Sequence, residues 1–360
     1  MKKFFPGIII GTALAAWGCG CTSNNFFAVS ISGKSDGGIY CIENDKKITH
    51  TSLPRLNYMI RNQHNNLYYA TQNGTAKINN RYGNVVVLQK TDTGEMKILQ
   101  SVSVNGITPC HLAISPCGKI LCVANYSSGT VSEFRIDRTG RLNHPPVLHQ
   151  HTGKGATKRQ NAPHPHFTGF NPATGKLFVC DLGTDEIIIY RNRCGKLLPE
   201  EKLKLAPGAG PRHLAFAPDG STIYVANELD STVTSFVRTA AGWKKVETLS
   251  TRPANPSAKK NFPGAIKITA DGRFFFITNR GDDTIAMFET SPGGRFRRCG
   301  NTPAQGQYPS DILLSDNDTV LRVINLKNGT AAKFKVNQAA ATLEALPGTQ
   351  SVPRGIGLCQ

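Results

Sequence analysis

Short apolar runs of four to eight residues, rich in Val, Ile, Phe and Tyr, follow one another along almost the whole chain, and polar turns such as Pro218-Asp219-Gly220 and Ala270-Asp271-Gly272 cut them apart. Runs of that length and composition predict antiparallel β-strands joined by tight turns. No long stretch keeps a period near 3.6 residues, so helices are not expected. The runs recur as one phrase at intervals of about fifty residues. It begins with Pro and an apolar strand, continues through a turn with Asp/Gly or Pro/Gly to a second strand ending near Asn or Asp, and closes with a third strand after a short polar turn. Clear copies begin at Thr108 (TPCHLAISPCGKILCVANYSSGTVSEFRI), Pro163 (PHPHFTGFNPATGKLFVCDLGTDEIIIY), Gly210 (GPRHLAFAPDGSTIYVANELDSTVTSFV) and Phe262 (FPGAIKITADGRFFFITNRGDDTIAMFE), and fainter ones near Pro54 and Pro309.

A seventh copy is split between the ends: Phe26 to Ser32 and Gly38 to Asn44 supply its second and third strands, Val352 to Cys359 its first. A chain whose two ends complete one repeat closes a ring. Each repeat is too thin to bury both of its faces, and stacking the repeats around an axis removes that exposed area. Although 360 residues would suit two or three domains by size, the pattern predicts one domain over 24–360. Its fold class is all-β: a seven-bladed β-propeller with four antiparallel strands per blade, closed by pairing of the N- and C-terminal strands.

In such a ring the first strand of each blade is innermost, so residues starting it, and those just after the second strand, surround a central channel. The stretch Arg159-Gln160-Asn161-Ala162-Pro163-His164-Pro165-His166 sits at one such start, and a strand period of two would put His164 and His166 on the same side. Repeat alignment sets them level with Arg212 and His213 in the next copy and with Ile107 to His111 in the one before. The second strands end in Asn125, Asp181, Asn227 and Asn279, which agree as turn caps would, whereas the residues that follow, Tyr126, Leu182, Glu228 and Arg280, break the repeat. Each taken singly has a structural reading, Arg212 and Glu228 as an ion pair between blades and the asparagines as caps. Together they predict two Arg, one Glu and up to three His at one mouth.

Composition changes the picture in few places. The formal charge is +18, but the basic residues are scattered and no interleaved aromatic-basic motif is present, which argues against nucleic acid and for an anionic small molecule or anionic lipid. The ten cysteines include no CxxC pair and no zinc-type cluster with His, so no metal and no cofactor are expected. Residues 1–21 read as an export signal: Lys2 and Lys3 precede an apolar run that ends in Ala16-Trp17-Gly18-Cys19, a lipoprotein-type processing site with Cys19 as the lipid-bearing residue, Cys21 as the weaker candidate, and a plain secretory signal cut nearby as the alternative. The expected location is the cell envelope or periplasm, with membrane contact only through that lipid.

The segments RQNAPHPH, DLGTDEIIIY, GPRHLAFAPDG, YVANELDSTV and ITNRGDDTIAMF resemble, strongly over about residues 105 to 290 and weakly elsewhere, the lactonase family of seven-bladed propellers. That family includes bacterial propeller-type 6-phosphogluconolactonases and fungal carboxymuconate-lactonizing cyclases. The resemblance implies a site in the central channel with His164, Arg212, Glu228 and Arg280 at the family's functional positions, and Arg159 and His166 in its signature loop. Asp282 departs from it, since a His is common there. The implied activity is hydrolysis of a small anionic or sugar lactone. An activated ring ester needs a base to orient water, a donor for the developing oxyanion and a grip on the acid group. Glu228 or His164 would be the base, Arg212 and Arg280 the grip with Arg159 and His213 beside them, and His166 the donor to the departing ring oxygen. No GxSxG elbow is present, so water is preferred to an acyl-enzyme. Two alternatives stand: cycloisomerisation of an unsaturated dicarboxylate, and a non-catalytic envelope propeller that binds through its loops.

Overall fold

The computed structural model describes residues 25–74, 82–193, 196–315 and 317–360; the export segment and Cys19 lie outside these. Seven four-stranded sheets, each an antiparallel meander, form the ring of blades. Blade 1 has Gly355–Cys359 as its inner strand, paired with Phe26–Ser30, then Gly38–Glu43 and Lys46–Ser52. The inner strands of blades 2 to 7 are Leu56–Arg61, Pro109–Ile114, Pro165–Phe170, Pro211–Phe216, Phe262–Ile268 and Pro309–Leu314. The closing strand begins three residues later than the repeat pattern predicts, because Val352 to Arg354 turn into it. Phe27 lies opposite Cys359 and Ser30 opposite Gly355.

The apolar core lies between blades as a set of seams, which is why both faces of the middle strands are apolar. Phe274, Phe276 and Met287 of blade 6 pack on Ile312, Val323 and Phe334 of blade 7, while Tyr224 of blade 5 stacks on Phe275 of blade 6 at 4.6 Å between centroids. The closing seam has the same character: Phe26, Ala28 and Leu358 pack on Ile324, Ala331 and Val352. Each large apolar side chain withdrawn from water contributes about 1.5–3 kcal/mol.

Every inner strand carries a register shift near its start. In blade 5, for example, Pro211 faces Asn227 and His213 faces Ala226, so Arg212 has no partner across the strand. The unpaired residues around the ring are Ile356, Asn57, Cys110, His166, Arg212 and Ser310; in blade 6 Gly264 and Ala265 are both without a partner, and Gly264, next after Pro263, holds the place of Arg212. Such a bulge re-aims one side chain per blade, and repeated seven times it points a ring of non-repeating residues at the axis. It also corrects two sequence expectations. His166, not His164, is level with Arg212, and Phe167 is level with His213. The simple period of two fails at His166, so His164 and His166 are not adjacent rungs of one strand face.

Candidate functional site in the central channel

A cavity of about 450 Å³ opens at the end of the channel where the inner strands begin. Six of the seven bulge residues line it: Ile356, Asn57, Cys110, His166, Arg212 and Ser310. The seventh, Gly264, has no side chain. A Cβ there would lie 2.5 Å from Thr278 Oγ1, 3.3 Å from the Pro309 carbonyl oxygen and 3.4 Å from Arg280 Nε, so the glycine leaves room beside the Arg280 guanidinium. The residues after the second strands complete the wall with Tyr126, Glu228 and Arg280, while Leu182 is buried away from it.

Glu228 is the electrostatic centre. Its Oε1 accepts from Arg159 Nη1 at 2.6 Å and its Oε2 from Arg280 Nη2 at 2.5 Å. Arg212 Nε is 3.1 Å from the same Oε2, but it is not aligned to hydrogen-bond, and Arg212 Nε and Nη1 are buried with no acceptor. Burial by itself would raise the Glu228 carboxyl, yet Arg280, Arg212 and Arg159 outweigh it and hold the group well below the usual carboxylate range. Burial and the neighbouring Arg280 push Arg212 down to about 10, which leaves it protonated at neutral pH. Arg280 is further held by the carbonyls of Phe262, at 3.0 Å from Nε, and Pro263, at 3.3 Å from Nη2.

His166 and His213 meet edge to face at 5.2 Å. Burial, reinforced by Arg212, holds both imidazoles well below the ordinary histidine range, so they are neutral at pH 7. His166 Nδ1 and His213 Nε2 are buried without partners. With the two Arg212 donors, of which Nε is ion-paired to Glu228, they make four polar atoms without a hydrogen bond among the described residues around one cavity, where buried polar atoms are ordinarily satisfied. His164 sits elsewhere: its ring stacks on Tyr126 at 4.4 Å and its Nδ1 donates to the Tyr126 carbonyl at 2.9 Å. It backs the tyrosine and is not among the residues lining the cavity.

Two loops bring the mouth together. Gln160, fully buried, donates to the Leu182 carbonyl at 2.9 Å and to Asp185 at 2.7 Å, which anchors the turn that carries Arg159 over the opening. Asp282 accepts from Arg252 Nε and Nη2 at 2.8 and 2.9 Å and from Ser257 Oγ at 2.6 Å. It thereby ties down the segment leading into Phe262. The second-strand residues keep the capping role: Asn125, Asn227 and Asn279 donate to threonines of the next strand, and Asp181 accepts from the His164 N–H at 2.7 Å.

A lactonase model, described as a seven-bladed β-propeller, matches residues 29–358. The chain belongs to that family. A 6-phosphogluconolactonase of Bacillus subtilis is 31% identical over 327 residues, covering 88% of this chain and 92% of the relative. Another 6-phosphogluconolactonase, from Formosa agariphila, is 28% identical over 71% of this chain and 75% of its own length. A periplasmic gluconolactonase of Pseudomonas aeruginosa has the same fold, with a TM-score of 0.84 at 23% identity over 93% of this chain and 98% of its own.

Within this lactonase-family propeller, Tyr126 lines the cavity from one of the repeat-breaking positions expected around the channel, whereas sequence reasoning missed Asn57, Cys110, Ser310, Phe262 and Tyr308 as cavity residues. The signal for three of them was present. Cys110 and Ser310 each follow the proline that opens an inner strand, as His166 and Arg212 do, and Asn57 follows Leu56 at the same place.

Proposed function

We propose that the protein hydrolyses a small anionic or sugar lactone, of the 6-phosphogluconolactone or gluconolactone kind, in the cavity at the mouth of the channel. The observation that carries this reading is the set of unpaired donors on Arg212 beside the unpaired nitrogens of two neutral histidines. Arg212 would receive the carbonyl oxygen as it becomes an oxyanion, since donors already fixed in a dry site need no reorganisation. Neutral His166 would orient the attacking water, take its proton and return it to the ring oxygen that leaves. Glu228, locked among three guanidinium groups and held far down its range, is a poor base. Its part is to position Arg212, Arg280 and Arg159, and their excess positive charge would grip a phosphate or carboxylate on the substrate.

Family membership and the names of its relatives support the lactone. The convergence of Arg212, Glu228, Arg280 and His166 favours a catalytic site over a loop-binding propeller. The test is the rate of hydrolysis of glucono-δ-lactone and its 6-phosphate. His166→Ala is expected to lower kcat by about 100 to 10,000-fold, and Arg280→Ala to act chiefly through KM on the phosphorylated substrate. Full-rate hydrolysis by a His166→Ala/Arg212→Ala double variant would remove the site from the reaction. Formation of lactone from an unsaturated dicarboxylate, with no hydrolysis, would select the cyclase reading instead.

We also propose that the protein is exported and held to a membrane by lipid on Cys19. The strand that starts at Phe26 runs toward the mouth, ending at Ser30 opposite Gly355, the first residue of the inner strand. The described chain therefore begins at the end of the channel away from the mouth. Cys19→Ala should release the protein from the membrane fraction; an intact Met1 on the native protein would reject export.

A further inference from the structure

Beyond the bulge residues, the next residue of each inner strand forms a second layer across the channel. Tyr58 stacks on His111 at 4.2 Å, and His111 meets Phe167 at 4.5 Å and His213 at 5.1 Å. Asp311 completes the layer, its two oxygens accepting from the Ile312 and Leu358 N–H groups at 2.9 Å each. Past this layer, toward the opposite end, the channel widens again into a chamber of about 450 Å³. Its walls differ in kind from those of the mouth. Phe170, Leu214, Phe216, Ile266 and Ile268 make them mainly apolar, and the one lysine or arginine in the lining is Lys267.

Lys267 makes no hydrogen bond and no ion pair within 4 Å among the described residues; Tyr58 and Asp311 act on it only through their longer-range fields. The fields of Tyr58, Asp311 and Cys359 outweigh the cost of burial and keep the Lys267 ammonium charged, while its three donors stay unspent beside an apolar wall. An incoming anion would accept from them. Asp311 nearby, already committed to backbone N–H groups, disfavours a second negative charge, so a monoanion fits and a phosphate dianion does not. A volume in the range of small-molecule sites and three phenylalanine walls call for a compact apolar body.

We propose that this inner chamber is a separate binding site for a small aromatic monocarboxylic acid, its carboxylate taken by Lys267 and its ring lying against Phe170 and Phe216. The site does not depend on the lactonase reading, because it shares with the mouth only the dividing layer. The test titrates 3-phenylpropanoate and its neutral amide, 3-phenylpropanamide, into the full-length protein by calorimetry, alongside Lys267→Met and Arg280→Ala variants. Saturable binding of the acid, with the amide at least about tenfold weaker, is expected for the wild type and for Arg280→Ala, and loss of the acid's advantage for Lys267→Met. Equal binding of acid and amide, or no saturable binding of either, overturns the proposal. So does binding that survives Lys267→Met and disappears in Arg280→Ala, since the acid is then at the mouth. If Lys267→Met does not fold, nuclear Overhauser contacts in the wild type decide: from the ligand ring to Phe170 or Phe216 they support the site, and to Phe262 or Tyr308 they refute it.

Discussion

Glu228 holds three guanidinium groups with one carboxylate and is itself 4% exposed. Removing one partner from a buried ionic cluster leaves charge uncompensated, a loss typically of about 3–5 kcal/mol. Glu228→Gln is therefore expected to lower stability by that order in chemical unfolding at pH 7 and to raise KM more than it lowers kcat. The pH dependence has a definite sign. The folded-state group is depressed, so its stabilisation is complete above the unfolded value of about 4.3 and is lost as pH falls toward the folded one. The gap in stability between wild type and Glu228→Gln should shrink on acidification below that point; a gap that widens would mean the carboxylate is not ion-paired in solution. The neutral His166 gives a kinetic counterpart. Because burial lowers its proton affinity, the acid limb of kcat/KM should fall below the ordinary histidine value of about 6.5, and a limb at or above that value would take His166 out of the base role.

At the scale of the element, the bulge decides which residues reach the channel. Gly264→Ala tests this directly, since a methyl group would press on Thr278 and the Pro309 carbonyl and fill the space against Arg280. The expected result is a KM increase for the phosphorylated lactone with a modest stability loss, of about 1–3 kcal/mol for overpacking; unchanged kinetics would mean that Arg280 does not need the space. The loop carrying Arg159 offers a second test. Gln160→Ala strands the Leu182 carbonyl, at a cost of about 1–3 kcal/mol, and removes one donor from Asp185, which keeps the Gly208 and Gly210 N–H groups; limited proteolysis between residues 152 and 163 should report the loosening. Bulges also explain why part of the site was hidden in the sequence. Hydrophobic alternation displays strands but not an extra residue within one, so an alignment by pattern set His166 level with His213 where the backbone sets it level with Arg212.

Across the whole molecule, the ring depends on its last strand. Gly355–Cys359 shields one edge of Phe26–Ser30, and the Ser30 hydroxyl donates to the Pro353 carbonyl at 2.6 Å. Deleting 352–360 would expose that edge and open the seam of Phe26, Ala28 and Ile324. Loss of soluble protein is expected, and a soluble deletion product with an unchanged thermal midpoint would refute closure by this strand.

The sequence by itself determined the number of blades, the order of their strands, the closure by the two ends and the presence of Arg212, Glu228 and Arg280 at one mouth. These follow from apolar periodicity and from a repeat in which scaffold positions recur and site positions do not, and both are local properties of the chain. Tertiary structure alone decided that Glu228 binds three arginines, that His166 enters the cavity while His164 stacks behind Tyr126, and that the channel is divided in two. Those outcomes depend on the bulge in each inner strand and on distances between blades far apart in sequence, which hydrophobic pattern does not encode.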